Sequence, residues 1–294
     1  MIPRDPSSVR EDTMRYASYT DGAGRHTWGV EHDGTLYDLG PSGLAVAATL
    51  RDAIVDGLLA DAPDRTGAPS QPVEGTRFDV VVGGAAKVVC IGVNYRTHKE
   101  ETGRPDVAFP TVFSRFPDTL WPHGAPATIP AASERYDYEG EVALVIGKPA
   151  YQVKAADAYD HVAGYAAFND FSARDWQRHT GQWIPGKNFP ESGAFGPYYV
   201  PAGDIDDVEK LEITTRVNGA VRQQALLADL IFDIPAQIEY VTAFTPLAPG
   251  DVIVTGTPGG VGLFMDPPTF LADGDVVEVE VTGLGTLMNT MVRR

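Results

Sequence analysis

Two glutamates stand directly before an apolar run in the segment RYDYEGEVALVIGK, residues 135–148. Because side chains at positions i and i+2 of a strand lie on one face, Glu139 and Glu141 point the same way. Two carboxylates held close together repel each other unless a cation lies between them. Hard divalent cations such as Mg²⁺, Mn²⁺ and Ca²⁺ prefer oxygen ligands of this kind. A solvated pair on an edge strand explains the same spacing, so the motif alone leaves both interpretations open.

A third carboxylate favours the metal site. Asp170 ends the apolar stretch GYAAFND and precedes a segment with helical spacing. Residues at the ends of buried strands are common positions for binding and catalysis. Asp170, Arg174 and Gln177 are spaced i, i+4 and i+7, which predicts one helical face that carries all three. An exposed, salt-bridged helix face is the alternative interpretation.

A histidine, a glutamate and a lysine supply candidates for proton transfer and charge stabilisation. His98 and Glu101, in NYRTHKEETG, are three residues apart and would meet on a helical turn. A carboxylate beside an imidazole fixes its tautomer and raises its basicity, which suits a general base. Lys187, in QWIPGKNFPESGAFGP, is a candidate for a fixed positive charge beside a developing oxyanion. A surface histidine and an ordinary loop lysine are the alternatives.

Short strands separated by turns must position these side chains. Residues 14–39 alternate between apolar and polar residues around two Asp-Gly turns, which predicts an antiparallel meander. A helix capped by Ser42 is predicted next. Later strands are interrupted by a hairpin turn at Asn218-Gly219, and a helix in LLADLIFDIPAQIEYVTAF has Pro235 at a boundary or kink. There are no regular βαβ repeats, so the class is a β-rich α+β fold.

Composition restricts the possible partners. The 294 residues carry a net charge of -17, which argues against nucleic-acid binding and against anionic membranes. An anionic substrate then needs a local excess of positive charge. The single cysteine, Cys90, excludes an internal disulfide and a cysteine-based zinc site. The N-terminal residues contain no apolar run typical of a secretory signal, so a cytoplasmic location is expected.

Five segments, taken in order, resemble the fumarylacetoacetate hydrolase family. They are IGVNYRTHKEE, DYEGEVALVIGK, GYAAFNDFSARDWQ, QWIPGKNFPESGAFGP and DVIVTGTPGGVG. The resemblance extends over residues 86–294 and is strongest to the shorter, acylpyruvase-like members. It implies a mixed β-roll with a small N-terminal α/β domain. The expected organisation is a disordered leader over residues 1–13, the small domain over 14–75 and the catalytic domain over 76–294.

The resemblance also implies roles for individual residues. It makes Glu139, Glu141 and Asp170 the ligands of a divalent cation, with Mg²⁺ first and Mn²⁺ or Ca²⁺ as alternatives. The implied catalytic residues are His98, Glu101 and Lys187, and the implied substrate-binding residues are Arg174, Gln177 and Thr257. The expected partners are a small carboxylate substrate and a second copy of the chain in a homodimer.

The activity predicted from this resemblance is hydrolysis of a carbon–carbon bond in a 1,3-dicarbonyl or 2,4-diketo acid. In that scheme His98 and Glu101 activate a water, and Lys187 stabilises the oxyanion that forms. The products would be a pyruvate-like acid and a second carboxylic acid. The alternatives are a decarboxylase of an oxaloacetate-like 2-oxo acid, a hydratase or isomerase of a 2-oxo-enoate, and a metal-binding protein without catalysis.

Overall fold

The computed structural model describes residue 10 and residues 13–294. The predicted leader over residues 1–13 lies almost entirely outside the described residues. The predicted β-rich α+β class is confirmed, since strands outnumber helices and the helices are short. The helices are α1 Leu50–Val55, α2 Arg96–Thr102, α3 Arg174–Gln177, α4 Ile184–Lys187 and α5 Ile234–Phe244.

The strands form curled sheets that are linked mostly by short turns. They are β1 Arg15–Thr20, β2 His26–His32, β3 Thr35–Asp38, β4 Ser70–Pro72, β5 Arg77–Phe78, β6 Val88–Gly92, β7 Thr111–Arg115, β8 Leu120–Trp121, β9 Ala127–Ile129, β10 Tyr136–Asp137, β11 Gly140–Ile146, β12 Val162–Asp170, β13 Ser172–Ala173, β14 Gly193–Phe195, β15 Val200–Pro201, β16 Glu212–Val217, β17 Ala220–Leu226, β18 Val252–Val254, β19 Val276–Val281 and β20 Gly285–Arg293.

An N-terminal sheet has the order β4-β3-β2-β1-β5. Within it, strands β1, β2 and β3 form the predicted antiparallel meander. The cap predicted at Ser42 is wrong. Helix α1 begins after Thr49, whose hydroxyl accepts a hydrogen bond from the Asp52 amide at 3.0 Å. Ser42 lies in a turn that precedes the helix by several residues, so it cannot reach the free amides of the first helical turn.

The eight-stranded central sheet has the order β7-β6-β18-β11-β12-β14-β8, and β15 also pairs with β12. Every residue of β11 is buried, which agrees with the apolar run Val142–Ile146 that follows Glu141 in this strand. Strands β11 and β12 are antiparallel neighbours, with Gly140 opposite Asn169. This register brings the beginning of β11 beside the end of β12, where the predicted metal ligands stand.

The third sheet has the order β17-β16-β19-β20-β9 and packs against the beginning of β11. The predicted hairpin is confirmed, because Asn218 and Gly219 both have positive φ between β16 and β17. A Cβ atom on Gly140 would lie 2.0 Å from the Thr215 hydroxyl. Only a glycine between the two glutamates therefore allows β16 to approach this closely.

The helix predicted around Pro235 is shorter than expected. It begins at Ile234, and the Asp233 side chain accepts a hydrogen bond from the Ala236 amide at 2.8 Å. Pro235 lies in the first turn, where its missing N–H leaves no helical bond unmade. The preceding residues contain only a 3-10 turn, Leu227–Asp229. No helix among the described residues is long and apolar enough to cross a membrane.

Candidate functional site

Three carboxylates meet where β11 begins and β12 ends. Glu139, Glu141 and Asp170 each offer an oxygen within 4.8 Å of the others, and all three side chains are buried. The Asn169 side chain accepts a hydrogen bond from the Glu139 amide at 3.0 Å, and the Glu139 carbonyl accepts one from the Asp170 amide at 2.8 Å. Sheet pairing thus holds together residues that lie about thirty positions apart in the sequence.

Three buried cations partly neutralise this cluster. The Lys187 ammonium donates to Glu139 Oε2 and to Asp170 Oδ2, both at 2.5 Å. Arg174 donates to Glu139 Oε1 at 2.5 Å, and Arg115 donates to Asp170. Within the described part of the chain, Glu141 forms no ion pair and accepts a single hydrogen bond, from the Gly256 amide at 2.6 Å.

The pKa values of the two glutamates are therefore shifted in opposite directions. Burial alone would raise the pKa of Glu139, but the charges of Arg174 and Lys187 outweigh it and hold that pKa well below its ordinary value. Burial raises the pKa of Glu141 far above the ordinary value, and the charges of Asp170 and Glu139 raise it further. The charge of Lys187 offsets only part of this rise, so Glu141 is the carboxylate that the buried cations compensate less, which fits a donor set built for a cation.

The predicted histidine–glutamate pair is brought together on helix α2. The distance from His98 Nδ1 to Glu101 Oε1 is 2.6 Å, and the other Glu101 oxygen accepts from the Gly260 amide at 2.8 Å. A carboxylate accepts hydrogen bonds only, so Nδ1 is the donor of this bond, and in the neutral form of the imidazole Nε2 then has the free electron pair. This tautomer suits a base, although the catalytic role itself stays a prediction.

The predicted helical face of Asp170, Arg174 and Gln177 is wrong. Asp170 belongs to β12, and helix α3 begins only at Arg174, because β10 and β13 pair and keep the intervening residues extended. Arg174 and Gln177 are still neighbours, joined by a 3.2 Å hydrogen bond. The buried Nη2 of Arg174 has no hydrogen-bond partner among the described residues.

Thr257 lies on the glycine-rich loop after β18. Its hydroxyl donates to the Gly140 carbonyl at 3.0 Å and accepts from the Gln223 side chain at 2.8 Å. The hydroxyl proton is therefore already used within the protein, so this side chain has no hydrogen left to donate to a substrate carboxylate in this arrangement.

One cavity of about 110 Å³ joins most of these groups. Of the predicted site residues it is lined by His98, Glu139, Glu141, Arg174, Gln177, Lys187 and Thr257. Its remaining wall is largely apolar, and it includes Phe113, Trp183 and Phe264. Asp170 and Glu101 are not part of the lining and act on it through Lys187 and His98. The arrangement unites a potential base, a carboxylate cluster and an unpaired guanidinium donor.

Three buried residues of the site were not predicted. Asp137 accepts from Arg174 at 2.8 Å and from the Gly262 and Leu263 amides. Arg115 and Gln223 hold Asp170 and Thr257 respectively. Asp137 extends the i, i+2 series of Glu139 and Glu141, which is a usable signal. No local pattern identifies Arg115 or Gln223, because both reach the site through pairing of distant strands.

Comparison with known proteins corrects the predicted activity. The chain is 41% identical over 208 residues to a mitochondrial oxaloacetate tautomerase of Bos taurus, which is 70% of this chain and 66% of that protein. It is 42% identical over 205 residues to an oxaloacetate tautomerase of Bacillus subtilis, covering 69% and 68% of the two chains. The matched part is thus only about two thirds of these relatives.

The predicted carbon–carbon hydrolase, and with it the hydrolase enzyme class, is therefore wrong. These relatives instead favour the alternative that centred on oxaloacetate-like 2-oxo acids. The physical reason for the error is that a histidine base beside a carboxylate cluster serves equally to activate water or to remove a proton from carbon. Spacing of the site residues does not distinguish the two reactions.

Solved structures and the family profile agree on the wider relationship. A fumarylacetoacetate hydrolase from Exiguobacterium antarcticum has a TM-score of 0.85 and 32% identity, and the alignment covers 96% of this chain and 100% of that one. The profile of the fumarylacetoacetate (FAA) hydrolase C-terminal family matches residues 87–292. The predicted resemblance is confirmed, and this chain belongs to the fumarylacetoacetate hydrolase family.

Proposed function

We propose that this chain is a metal-dependent tautomerase that interconverts the keto and enol forms of oxaloacetate. The observation that carries the proposal is the His98–Glu101 pair, whose imidazole lines the same cavity as Glu139 and Glu141. The names of the relatives from Bos taurus and Bacillus subtilis support the choice of substrate.

The acidic cluster fits a divalent cation. Three buried carboxylates within 4.8 Å form a hard oxygen donor set, and Glu141 has no ion-pair partner among residues 13–294. Glu139, Glu141 and Asp170 would hold the ion. When bound, it would supply Lewis-acid polarisation of the 2-oxo group and positive charge. Mg²⁺ suits a site made only of carboxylates, with Mn²⁺ or Ca²⁺ as alternatives.

Tautomerisation needs one proton to leave carbon and one to reach oxygen. In the keto form, His98 Nε2 removes a proton from C3, and the electrons of that bond form the C2=C3 double bond. The electrons of the C2=O double bond move onto oxygen, and protonation of this oxygen by the imidazolium gives the enol. No atom is lost, and Glu101 stabilises the imidazolium while the proton is held.

Other residues would bind the substrate. The free Nη2 of Arg174 is a donor for its 1-carboxylate, and Gln177 holds the Arg174 side chain. The third N–H of Lys187, which is not used by Glu139 or Asp170, is available to the developing enolate oxygen. Thr257 shapes the wall beside Gly140 and does not donate its hydroxyl proton. We also propose that the chain forms a homodimer and that it is located in the cytoplasm.

The test follows the keto–enol equilibration of oxaloacetate by the ultraviolet absorbance of the enol, with Mg²⁺ present. His98→Asn is expected to lower the enzymatic rate by about 10²–10⁴-fold while the Kd for Mg²⁺ stays within about threefold. Glu101→Gln is expected to lower the rate less, and Glu100→Gln, an exposed neighbour on the same helix, to leave it unchanged.

Product analysis in the same samples distinguishes the alternatives. Release of CO₂ faster than enol equilibration would contradict the tautomerase and favour a decarboxylase. Full equilibration activity in the His98→Asn variant would contradict the assigned base.

A further inference from the structure

One wall of the cavity is formed by two aromatic rings in edge-on contact. Trp183 precedes helix α4, and its ring lies so close to Gly92 at the end of β6 that a Cβ there would be 2.1 Å from the indole. The Phe113 ring packs edge-on against the indole with centroids 5.5 Å apart. Trp183 is therefore held on two sides and offers a fixed surface.

A cation lies over each ring of this aromatic pair. At the inner end the Lys187 ammonium is 5.1 Å from the centre of the Phe113 ring. At the outer end the Arg104 guanidinium is 5.1 Å from the centre of the Trp183 ring. The wall thus connects the carboxylate cluster with an arginine at the cavity mouth. Stacking on an aromatic face leaves the edge of a guanidinium, where its N–H donors lie, free for an anion.

The turn after helix α2 places Arg104 beside Trp183. Helix α2 ends at Thr102, and Gly103 adopts the left-handed conformation with φ 64°, which turns the chain away from the helix axis. Arg104 follows directly. Its side chain forms no hydrogen bond or ion pair with any residue in the described part of the chain, and Arg178, exposed on the same cavity lining, forms none either.

Arg104 and Arg178 thus line the exposed part of one cavity with no partner from the described residues, in a chain of net charge -17. Such a chain repels anions in general, so local positive charge is needed where an anion enters. The inner end of the cavity already contains the groups assigned to a 2-oxo carboxylate head. An additional anionic group of the same ligand would lie toward the mouth, where Arg104 and Arg178 offer unused donors.

We propose that Arg104, stacked on Trp183, forms with Arg178 an outer anion subsite that binds the second carboxylate of a 2-oxo dicarboxylic acid. The inference rests on the proposed function for the position of the 2-oxo head. It makes Arg104 the residue that selects dicarboxylates over 2-oxo acids with an uncharged tail.

The test compares two ligands that share the 2-oxo acid head, oxaloacetate and 2-oxobutanoate. Their Kd values are measured by calorimetry in the presence of Mg²⁺, and KM is measured for oxaloacetate. Arg104→Met keeps an apolar side chain on Trp183 and removes the charge. We expect this variant to raise the Kd for oxaloacetate about three- to tenfold and to leave the Kd for 2-oxobutanoate unchanged. Arg104→Lys should recover part of the loss.

Arg96→Met is the matched control, since Arg96 is exposed on helix α2 and does not line the cavity. Equal weakening of both ligands by Arg104→Met, or no change in either, would overturn the subsite. Because calorimetry needs no turnover, a wild-type protein that prefers oxaloacetate through Arg104 yet lacks tautomerase activity would refute the proposed reaction and keep the subsite.

Discussion

At the scale of single residues, two glutamates of the same strand end have opposite electrostatic surroundings. Glu139 contacts both Arg174 and Lys187, whereas Glu141 accepts one amide hydrogen bond and no other from the residues that the structure describes. Removing one partner of a buried ion pair leaves an uncompensated charge and destabilises the fold, whereas a buried carboxyl group whose pKa is raised has no such partner to lose. The two carboxylates should therefore contribute differently to stability, although both belong to the proposed cation site.

Substitution by glutamine separates these contributions. In the metal-free protein, Glu139→Gln should lower the free energy of unfolding by about 3 kcal/mol, because it leaves two buried cations short of a partner. Glu141→Gln should change it by less than about 1 kcal/mol, since glutamine still accepts the Gly256 amide and no buried charge remains. Urea unfolding with a chelator present measures both. Equal losses would contradict the assignment of charge partners.

Adding Mg²⁺ provides the second half of that experiment. The wild-type protein should gain stability because the ion binds the folded state, and both variants should lose most of the gain. A variant that is stabilised as much as the wild type would show that its glutamate is not a ligand.

The sequence predicts a residue's role where the partners are local. Strand periodicity places Glu139 and Glu141 on one face, and helical spacing pairs His98 with Glu101. The role of Arg115 could not be predicted, because its partner Asp170 lies 55 positions away in the sequence. The order of strands in the central sheet brings the two residues together. A contact of that kind depends on topology, which no local pattern contains.

At the scale of elements, the glycine-rich loop after β18 is held from two sides. On one side Gln223 of β17 donates to Thr257 and to the Pro258 carbonyl, and accepts from the Gly140 amide at 3.0 Å. On the other side, helix α2 accepts from the Gly259 and Gly260 amides through two of its side chains. The hairpin β16–β17 therefore positions the loop that helix α2, which carries the proposed base His98, contacts.

Removing the Gln223 side chain tests this support. Gln223→Ala leaves one buried amide and two buried acceptors without their partner, so it should cost about 2–3 kcal/mol of stability. It should also lower kcat for tautomerisation more than it raises KM, because it moves the base rather than the binding groups. Gln224→Ala is the control, since that side chain is exposed and, of the residues described, donates a hydrogen bond to Glu212 alone. Equal effects from both variants would show that the hairpin does not position the loop.

Prediction at this scale succeeds for elements with a strong local signal. The Asn218-Gly219 hairpin and the apolar strands β11 and β12 follow from their own residues. The helix predicted to include Asp170 fails because residues 172–173 pair with β10, a strand more than thirty residues earlier. Extended backbone imposed by a distant partner overrides the helical spacing, so the helix starts only at Arg174.

At the scale of the whole molecule, the N-terminal sheet and the central sheet share one hydrophobic core. Tyr16 and Trp28 pack in the same cluster as Val145 and Phe168 of β11 and β12. The main chain of Tyr16 also bonds that of Tyr199 in both directions, at 2.9 and 2.8 Å. These contacts favour unfolding of both sheets together, whereas the predicted division at residue 75 would allow them to unfold separately.

Trp28→Ala tests which description holds. The side chain is 1% exposed, and its removal should cost about 4 kcal/mol. Of the four tryptophans, the three that remain lie outside the N-terminal sheet, so their fluorescence reports on the rest of the chain, whereas circular dichroism reports on all strands. If the core is shared, both signals should move to the same lower urea midpoint. Leu58→Ala is the control, because Leu58 also lies within residues 14–75 but is exposed. It should change the free energy of unfolding by less than about 0.5 kcal/mol. An unchanged fluorescence midpoint together with an early step in circular dichroism would establish two independently unfolding domains, because the cavity created at Trp28 would then weaken the N-terminal sheet alone.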